Sequence, residues 1–521
     1  MGRQNGARDE SHLHSRRRRN RARRARGARI AERGAEAIAR GSDSRRGASA
    51  GERGARARAR GDDEGDLDSS SESIPSRRFH RMARVRRESS TSRRASTSRS
   101  MASSSSSVAM VEGRRDRDVN ALGAAAAAPA AFAAAFAGGA RDPGARACVL
   151  CAVVVSLAAY RLTLRLLPTV EAKALKRNMY GYDLNKRGAP LGETRVPESG
   201  GLAAGCAYAM ALIVQQACQR VIRWAFGQSA SGVDAWALEQ NSALACVGFM
   251  IFLGFVDDVL DLPWRVKIIM PGFAALPLLL SYSGGTTILV PAPVRAVLRL
   301  SERVRSVDIG PLYLCYVWLL VVFCSNSINI HAGLNGLEAG QSLIIAGAVL
   351  LLNVLALAND PSVEPVTAGA HVFSIFVTLP FFATTLALLR RNWYPSKVFV
   401  GDTYTYFAGM TLGVVGTLGH CSETLLLFFL PQVLNFLYSV PQLFKIVTCP
   451  RHRLPVFDPK TGLLHPSKAT ETRYNMNLVT LFLRLFGPCT ERTLCARLLA
   501  FQFASCAFAF AARHVLTGVW K

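Results

Sequence analysis

The sequence predicts an all-α polytopic membrane protein: about ten transmembrane helices, polar loops gathered on the cytosolic face, and a disordered N-terminal tail in front. Three observations carry this. Apolar runs near 20 residues recur from residue 146 to the C-terminus, about the length that crosses a ~30 Å hydrocarbon core as helix. Half of the 521 residues are hydrophobic and only 19% are charged. That average also hides a sharp break, because residues 1–100 hold 28 Arg and 13 Asp or Glu.

The first 120 residues, rich in Arg, Ser and Ala, have too few branched apolar and aromatic side chains to bury the surface that offsets chain entropy. They are expected to be disordered. Runs such as Arg16–Arg19 invite a nucleic-acid reading, but no aromatic residues interleave with them and no binding module follows, so no nucleic-acid partner is expected. The composition also resembles an organelle transit peptide, against which stands the acidic stretch Asp62–Asp68. An early start is the other reading, since Met101 and Met110 lie nearer the first span. Residues 121–145 form an Ala-rich linker or an extra span over 121–138, and 146–521 is the membrane domain.

Spans are expected at 146–168, 200–224, 241–259, 266–282, 310–330, 340–358, 371–389, 398–418, 423–446 and 495–516. The connections on one side of such a bundle carry 18 Lys and Arg, and those on the other carry six. Basic loops stay cytosolic, so the 18 mark the cytosolic side. The Arg-rich tail then falls on the wrong side unless it is removed or 121–138 crosses once more. The twelve Cys include one CxxC, Cys148–Cys151, but it lies inside an apolar run and the others sit mostly in apolar segments too, which points to packing rather than zinc or disulfides.

Four polar clusters fall on the cytosolic side. The first, Gly254 to Lys267, carries Asp257, Asp258 and Asp261 at the end of an apolar helix, with Lys267 close behind. Adjacent carboxylates repel unless a cation or proton intervenes, and acids at membrane depth are functional candidates. In a helix Asp257 and Asp261 share a face, with Asp258 about 100° away. The run is also a literal DDxxD, the diphosphate-binding motif of soluble prenyl-diphosphate synthases, but the other copy, DDEGD at Asp62–Asp66, falls in the Arg-rich tail, and membrane spans flank this one. A solvated helix end is the bland alternative. The second cluster, Asn326 to Gln341, places Asn326 and Asn329 on one helical face before the Gly-rich break at Gly333, Asn335 and Gly336; carboxamide oxygens are hard ligands suited to Mg2+. In the third, Asn392 to Thr403, Asp402 enters an apolar span after Phe399, where a lone carboxylate needs a partner. The fourth, Arg451, His452 and Arg453, suits a phosphate, although alone it reads as an ordinary basic juxtamembrane stretch.

In this order the segments GFVDDVLDLPWRVK, NSINIHAGLNGLEAGQS, NWYPSKVFVGDTYTYFAGMT, LPQVLNFLYSVPQLF and CPRHRLP resemble the eukaryotic UDP-N-acetylglucosamine–dolichyl-phosphate N-acetylglucosaminephosphotransferases, within the polyprenyl-phosphate sugar-1-phosphate transferase superfamily. The likeness runs from about residue 150 to the C-terminus; CPRHRLP and NGLEAGQS favour the eukaryotic branch. It implies cytosolic catalytic loops, Mg2+ held by Asn329 and Asp402, and Asp257, Asp258 and Lys267 at the catalytic centre. It implies UDP-GlcNAc bound by Asp183, Leu184, Glu198, Asn335, Arg451, His452 and Arg453, with Asn326, Gly333 and Phe399 in the same substrate-binding segments. Tyr182 stands where the family has Gln, Asp261 where it has Asn, and His331 replaces an apolar residue. The implied reaction moves GlcNAc-1-phosphate from UDP-GlcNAc to dolichyl phosphate at the endoplasmic reticulum membrane, with membrane lipid around it and a homodimer left open. A transporter is the competing class; it calls for charges spread through the bilayer depth and an internal repeat, neither of which the sequence shows. A structural scaffold gives no reason for the four clusters.

Overall fold

The computed structural model describes residues 113, 115–121, 143–227, 230–289, 295, 299, 306–359, 365–450 and 453–520. Within them the chain is a helical bundle with three small hairpins. In order it runs α1 (Pro143–Lys176), β1 (Tyr180–Tyr182), β2 (Arg195–Pro197), α2 (Gly200–Ala225), α3 (Ala230–Leu260), α4 (Trp264–Ala274) and α5 (Leu276–Ser281). Then come β3 (Thr287–Leu289), β4 (Ser306–Asp308), α6 (Pro311–Ile330), α7 (Leu337–Asn359), α8 (Pro365–Asn392) and α9 (Gly401–Leu418). The remainder is α10 (Ser422–Phe428), α11 (Leu430–Leu443), β5 (Val456–Asp458), β6 (Leu463–His465), α12 (Leu478–Phe486) and α13 (Glu491–Trp520). Each sheet is a two-stranded antiparallel pair; in the first, Tyr180 faces Pro197 and Tyr182 faces Arg195.

Among the described residues, eight helices are long and apolar enough to cross a membrane, or nine if the bent pair α10–α11, broken by 69°, is one span. The expected count of ten is therefore not reached. The shortfall is the stretch expected at 398–418. It does form a helix, α9, but its sequence GDTYTYFAGMTLGVVGTL is rich in Gly and Thr. The reason is its place. Every residue from Thr403 to Leu418 is buried, with α2, α3, α6 and α8 packed around it. A helix walled by other helices needs small residues for close approach rather than large ones for lipid. Conversely, α2 and α3 turn Met210, Ile213, Val221 and Phe252 outward as exposed apolar side chains, a face that water would not tolerate at this length.

Two departures concern local backbone. Asp261 does not share a helical face with Asp257, because α3 ends at Leu260 and Asp261 adopts a left-handed conformation (φ 49°) while its N–H still reaches the Asp257 carbonyl at 2.9 Å. At the other end of the chain, residues 115–121 are helical and lie against the end of α8. The Arg390 guanidinium donates to Asn120 at 2.7 Å, and Arg492 makes paired bonds of 2.5 and 2.6 Å to Asp118. Glu171, near the end of α1, binds Arg391 with two 2.5 Å hydrogen bonds. Except for Ala121, the Ala-rich stretch 121–138 lies outside the described residues, as does the tail up to residue 112.

The tightest crossing sets the position of α9. A Cβ on Gly254 of α3 would stand 2.5 Å from the Thr403 Cα and 2.7 Å from the Asp402 carbonyl oxygen. Gly248, two turns earlier, has open space at the same position. Gly254→Ala is therefore expected to cost about 1–3 kcal/mol by overpacking, while Gly248→Ala is neutral or slightly stabilising through helix propensity. Thermal unfolding of the two variants in detergent, followed by size-exclusion fluorescence, checks the difference; equal melting temperatures would contradict it.

Candidate functional site

Asp258, on the last turn of α3, is committed to the start of α9. One of its carboxylate oxygens accepts from the Asp402 N–H at 2.6 Å. The other accepts from the Thr403 hydroxyl at 2.5 Å, the Thr403 N–H at 3.3 Å and the Ser199 hydroxyl at 2.9 Å. A carboxylate there satisfies N–H groups that the helix itself cannot and meets the positive end of its dipole. Gly401 turns the chain into the helix with φ 73°, and a side chain at that position would run into the Asp258 carboxylate. The two members of the acid pair thus point different ways, and Asp258 caps the start of α9.

Asp257 faces the other way and is buried. It accepts from the Tyr406 hydroxyl at 2.6 Å and the Leu262 N–H at 2.9 Å, and pairs with the Lys267 ammonium at 2.9 Å. Lys267 also reaches Asp402 at 3.1 Å. Asp402 in turn accepts from the Asn329 side chain at 2.7 Å, so residues 73 positions apart in sequence touch through their side chains. One cationic ammonium is shared by two carboxylates, with a carboxamide alongside. Among the described residues no group of three His, Cys, Asp or Glu could hold a metal. The donors at this point are instead one accessible carboxylate and one carboxamide, which carries an oxygen as well as a nitrogen. That set fits Mg2+, which keeps several waters and takes one or two carboxylates plus substrate phosphates.

From Asp402 and Asn329 opens a cleft of ≈250 Å³. Asp183, Leu184, Gly333, Asn335 and Phe399 line it too, together with Tyr182, Asn185, Glu338, Asn392, Thr405 and Leu454. Backbone pairing holds its walls together: the Phe399 N–H donates to the Pro197 carbonyl at 2.9 Å, and Gly200 and Gly201 donate to the carbonyls of Phe399 and Val400 at 2.9 and 2.8 Å. Gly333 (φ 102°) supplies the turn that brings its N–H to Glu338 at 2.9 Å.

The remaining expected residues divide. Glu198 sits beside the cleft against Gly181; burial, and then the neighbouring Asp258, raise its carboxyl above the usual range. Arg453 does not line the cleft but precedes Leu454, which does, and its guanidinium reaches the Met476 carbonyl at 3.4 Å. Asn326 is not brought in, for its amide donates to the Val322 carbonyl of its own helix at 2.9 Å. Arg451 and His452 lie outside the described residues. His331, at the end of α6, is buried with its ring Nδ1 unpartnered, and burial pushes its pKa down to about 4, so it is a neutral imidazole rather than a cation for phosphate.

Sequence reasoning missed three groups. Tyr406 lies one turn beyond Asp402 in α9 and anchors Asp257; only that spacing marks it. Lys186 and Glu491 form a buried ion pair of 2.7 Å next to Asn335. Lys186 lies three residues after Asp183, which the resemblance already singles out, whereas Glu491, an acid at a helix start, reads as a solvated cap.

Comparison with known proteins gives the same outline. Residues 241–420, which contain Asp257, Asp258, Lys267, Asn329, Asn335 and Asp402, match the family described as glycosyl transferase family 4. A UDP-N-acetylglucosamine–dolichyl-phosphate N-acetylglucosaminephosphotransferase of Dictyostelium discoideum is 45% identical over 371 residues, covering 69% of this chain and 87% of that protein. Its namesake in Saccharomyces cerevisiae is 36% identical over 424 residues (71% and 92%), and that of Leishmania amazonensis 35% over 439 residues (70% and 92%). On this likeness and this site, the chain belongs to the UDP-N-acetylglucosamine–dolichyl-phosphate N-acetylglucosaminephosphotransferase family.

Proposed function

We propose that this chain transfers GlcNAc-1-phosphate from UDP-GlcNAc to dolichyl phosphate, giving GlcNAc-diphosphate-dolichol and UMP, the first committed step of lipid-linked oligosaccharide assembly for N-glycosylation. The observation that carries the reading is the contact of Asp402 with Asn329 and Lys267, with Asp402 and Asn329 lining a cleft within a bundle of apolar spans. The cleft takes the water-soluble nucleotide sugar, and the apolar helix faces admit the isoprenoid tail of the acceptor. The basic loops at this end of the bundle argue for a cytosolic site on the endoplasmic reticulum membrane.

In the reaction, Asp402 and Asn329 would hold Mg2+, which supplies charge neutralisation at the diphosphate. Lys267, anchored by Asp257, puts an ammonium where the transferred phosphoryl group carries charge. Asp258 keeps Asp402 in register through the α9 N-terminus. The acceptor, a phosphate monoester with a second pKa near ~6, is largely a dianion at neutral pH and attacks directly. Asn335, Asp183, Leu184 and Phe399 then orient the donor, with Glu198 at its edge; Arg451, His452 and Arg453 are the basic residues that would meet its diphosphate.

Detergent-solubilised protein given radiolabelled UDP-GlcNAc, dolichyl phosphate and Mg2+ is expected to put label into the lipid fraction; a transporter or scaffold would not. Asp402→Ala and Asn329→Ala should each lower turnover by about 100-fold or more, on the scale of one lost electrostatic contact in a dry site, with unchanged elution on size exclusion. Full activity in either folded variant would defeat the assignment of these two side chains. Treatment with EDTA is expected to stop the reaction and added Mg2+ to restore it, whereas activity that survives thorough chelation rules the ion out.

A further inference from the structure

Asn335 faces the cleft, but what fixes it comes from the far end of the chain. Glu491, the first residue of α13, accepts the Asn335 backbone N–H at 2.8 Å through one carboxylate oxygen and the Lys186 ammonium at 2.7 Å through the other. Lys186 in turn pairs with Asp183 and donates to the Asn335 side-chain oxygen at 3.2 Å. The same oxygen accepts the Ser396 N–H at 2.7 Å, and the Asn335 amide nitrogen donates to Asp183 at 3.0 Å. Asn185 completes the knot, with bonds to the Gly333 carbonyl at 2.7 Å and to Glu491 at 3.3 Å. Glu491 and Lys186 are each 4% exposed, and neither lines the cleft.

The arrangement determines the amide orientation of Asn335. Its oxygen is occupied twice, and among the described residues one of its two nitrogen-bound protons is taken by Asp183. The other stays available to a ligand, in a side chain that can neither rotate nor flip without breaking these bonds. Burial alone would pull the Lys186 ammonium down, but the carboxylates of Glu491 and Asp183 outweigh it and hold its pKa above the usual lysine value. The knot is therefore held by a full set of mutual hydrogen bonds around a buried ion pair.

We propose that Glu491 is a positioning residue for donor binding: from outside the cleft it fixes the backbone of Asn335 directly and the side chains of Asn335 and Asp183 through Lys186, so that the nucleotide meets a preformed wall. This rests on the reading of the cleft as the UDP-GlcNAc site. An ion pair that only stabilised the bundle would affect folding and spare substrate affinity, which separates the two roles.

The test is steady-state kinetics on the full chain in detergent, with UMP inhibition and melting temperature measured on each variant. Glu491→Ala is expected to raise KM for UDP-GlcNAc and the inhibition constant of UMP together, by about ten- to hundredfold, the scale of one hydrogen bond to a charged group. KM for dolichyl phosphate stays unchanged, and kcat stays within about twofold. Glu491→Gln, which keeps an oxygen for the Asn335 N–H, should recover most of the donor affinity. Should the Ala variant fail to fold, Glu491→Asp decides: it keeps the charge for Lys186 but draws the oxygen back from Asn335, so donor KM must rise at an unchanged melting temperature. Folded Ala or Asp variants with wild-type donor KM, or with losses shared equally by the acceptor KM, overturn the proposal while leaving the reaction intact. A wild-type protein that makes no labelled lipid overturns the reaction itself, and this proposal with it.

Discussion

A carboxylate capping a helix start is the constraint on which the site depends. Asp258 takes the first N–H groups of α9 and the hydroxyls of Thr403 and Ser199, so three chain segments meet on one side chain. Because Asp402 is the residue whose N–H is held, its own carboxylate is delivered to Asn329 and Lys267. The cap is reinforced sterically by Gly254 and Gly401, where no side chain fits. The cost of crowding acids together is offset by directing them apart: Asp257 to Lys267 and Tyr406, Asp258 to backbone, Asp402 to the cleft. Asp257 and Asp402 share the Lys267 ammonium while Asp258 is met by backbone N–H groups and hydroxyls, which is how three carboxylates coexist in low dielectric.

The surrounding bundle divides its labour in a matching way. The helices that meet lipid, such as α2 and α3, show large exposed apolar residues, while α9 in the middle is Gly- and Thr-rich and wholly enclosed from Thr403 onward. The polar work is done where these helices stop and the short β1–β2 hairpin folds over their ends, pinned to the 399–400 strand-like stretch by backbone bonds. Loops supply most of the cleft, and helix termini supply the charged groups, as expected when chemistry must reach water from a membrane fold.

Much of this was legible in the residues. Runs of about 20 apolar positions located nine of the ten expected helices as membrane-crossing candidates, one of them the bent pair, because lipid exposure writes itself into composition. The same rule failed on α9, whose environment is protein on all sides. Asp257, Asp402 and Asn329 stood out because polar groups at membrane depth are costly. The geometry between them was not readable: periodicity put Asp261 on a face with Asp257, yet the left-handed residue after Leu260 takes it off the helix. Asn326 and Asn329 share a spacing but not a fate, since one bonds its own helix and the other reaches across to α9. Glu491 carries no local signal at all, for what makes it matter is a backbone N–H 156 residues away.

That distance has a consequence for biogenesis. A nascent chain that has inserted everything through α11 already holds Asp258, Asp402 and Asn329, and so possesses the centre of the site, but the wall around Asn335 still lacks its last anchor. Because Glu491 opens α13, the wall around Asn335 gains this anchor only once α13 has been made. Products that stop short of α13 would thus carry Asp258, Asp402 and Asn329 but hold donor weakly, a built-in separation between insertion and competence.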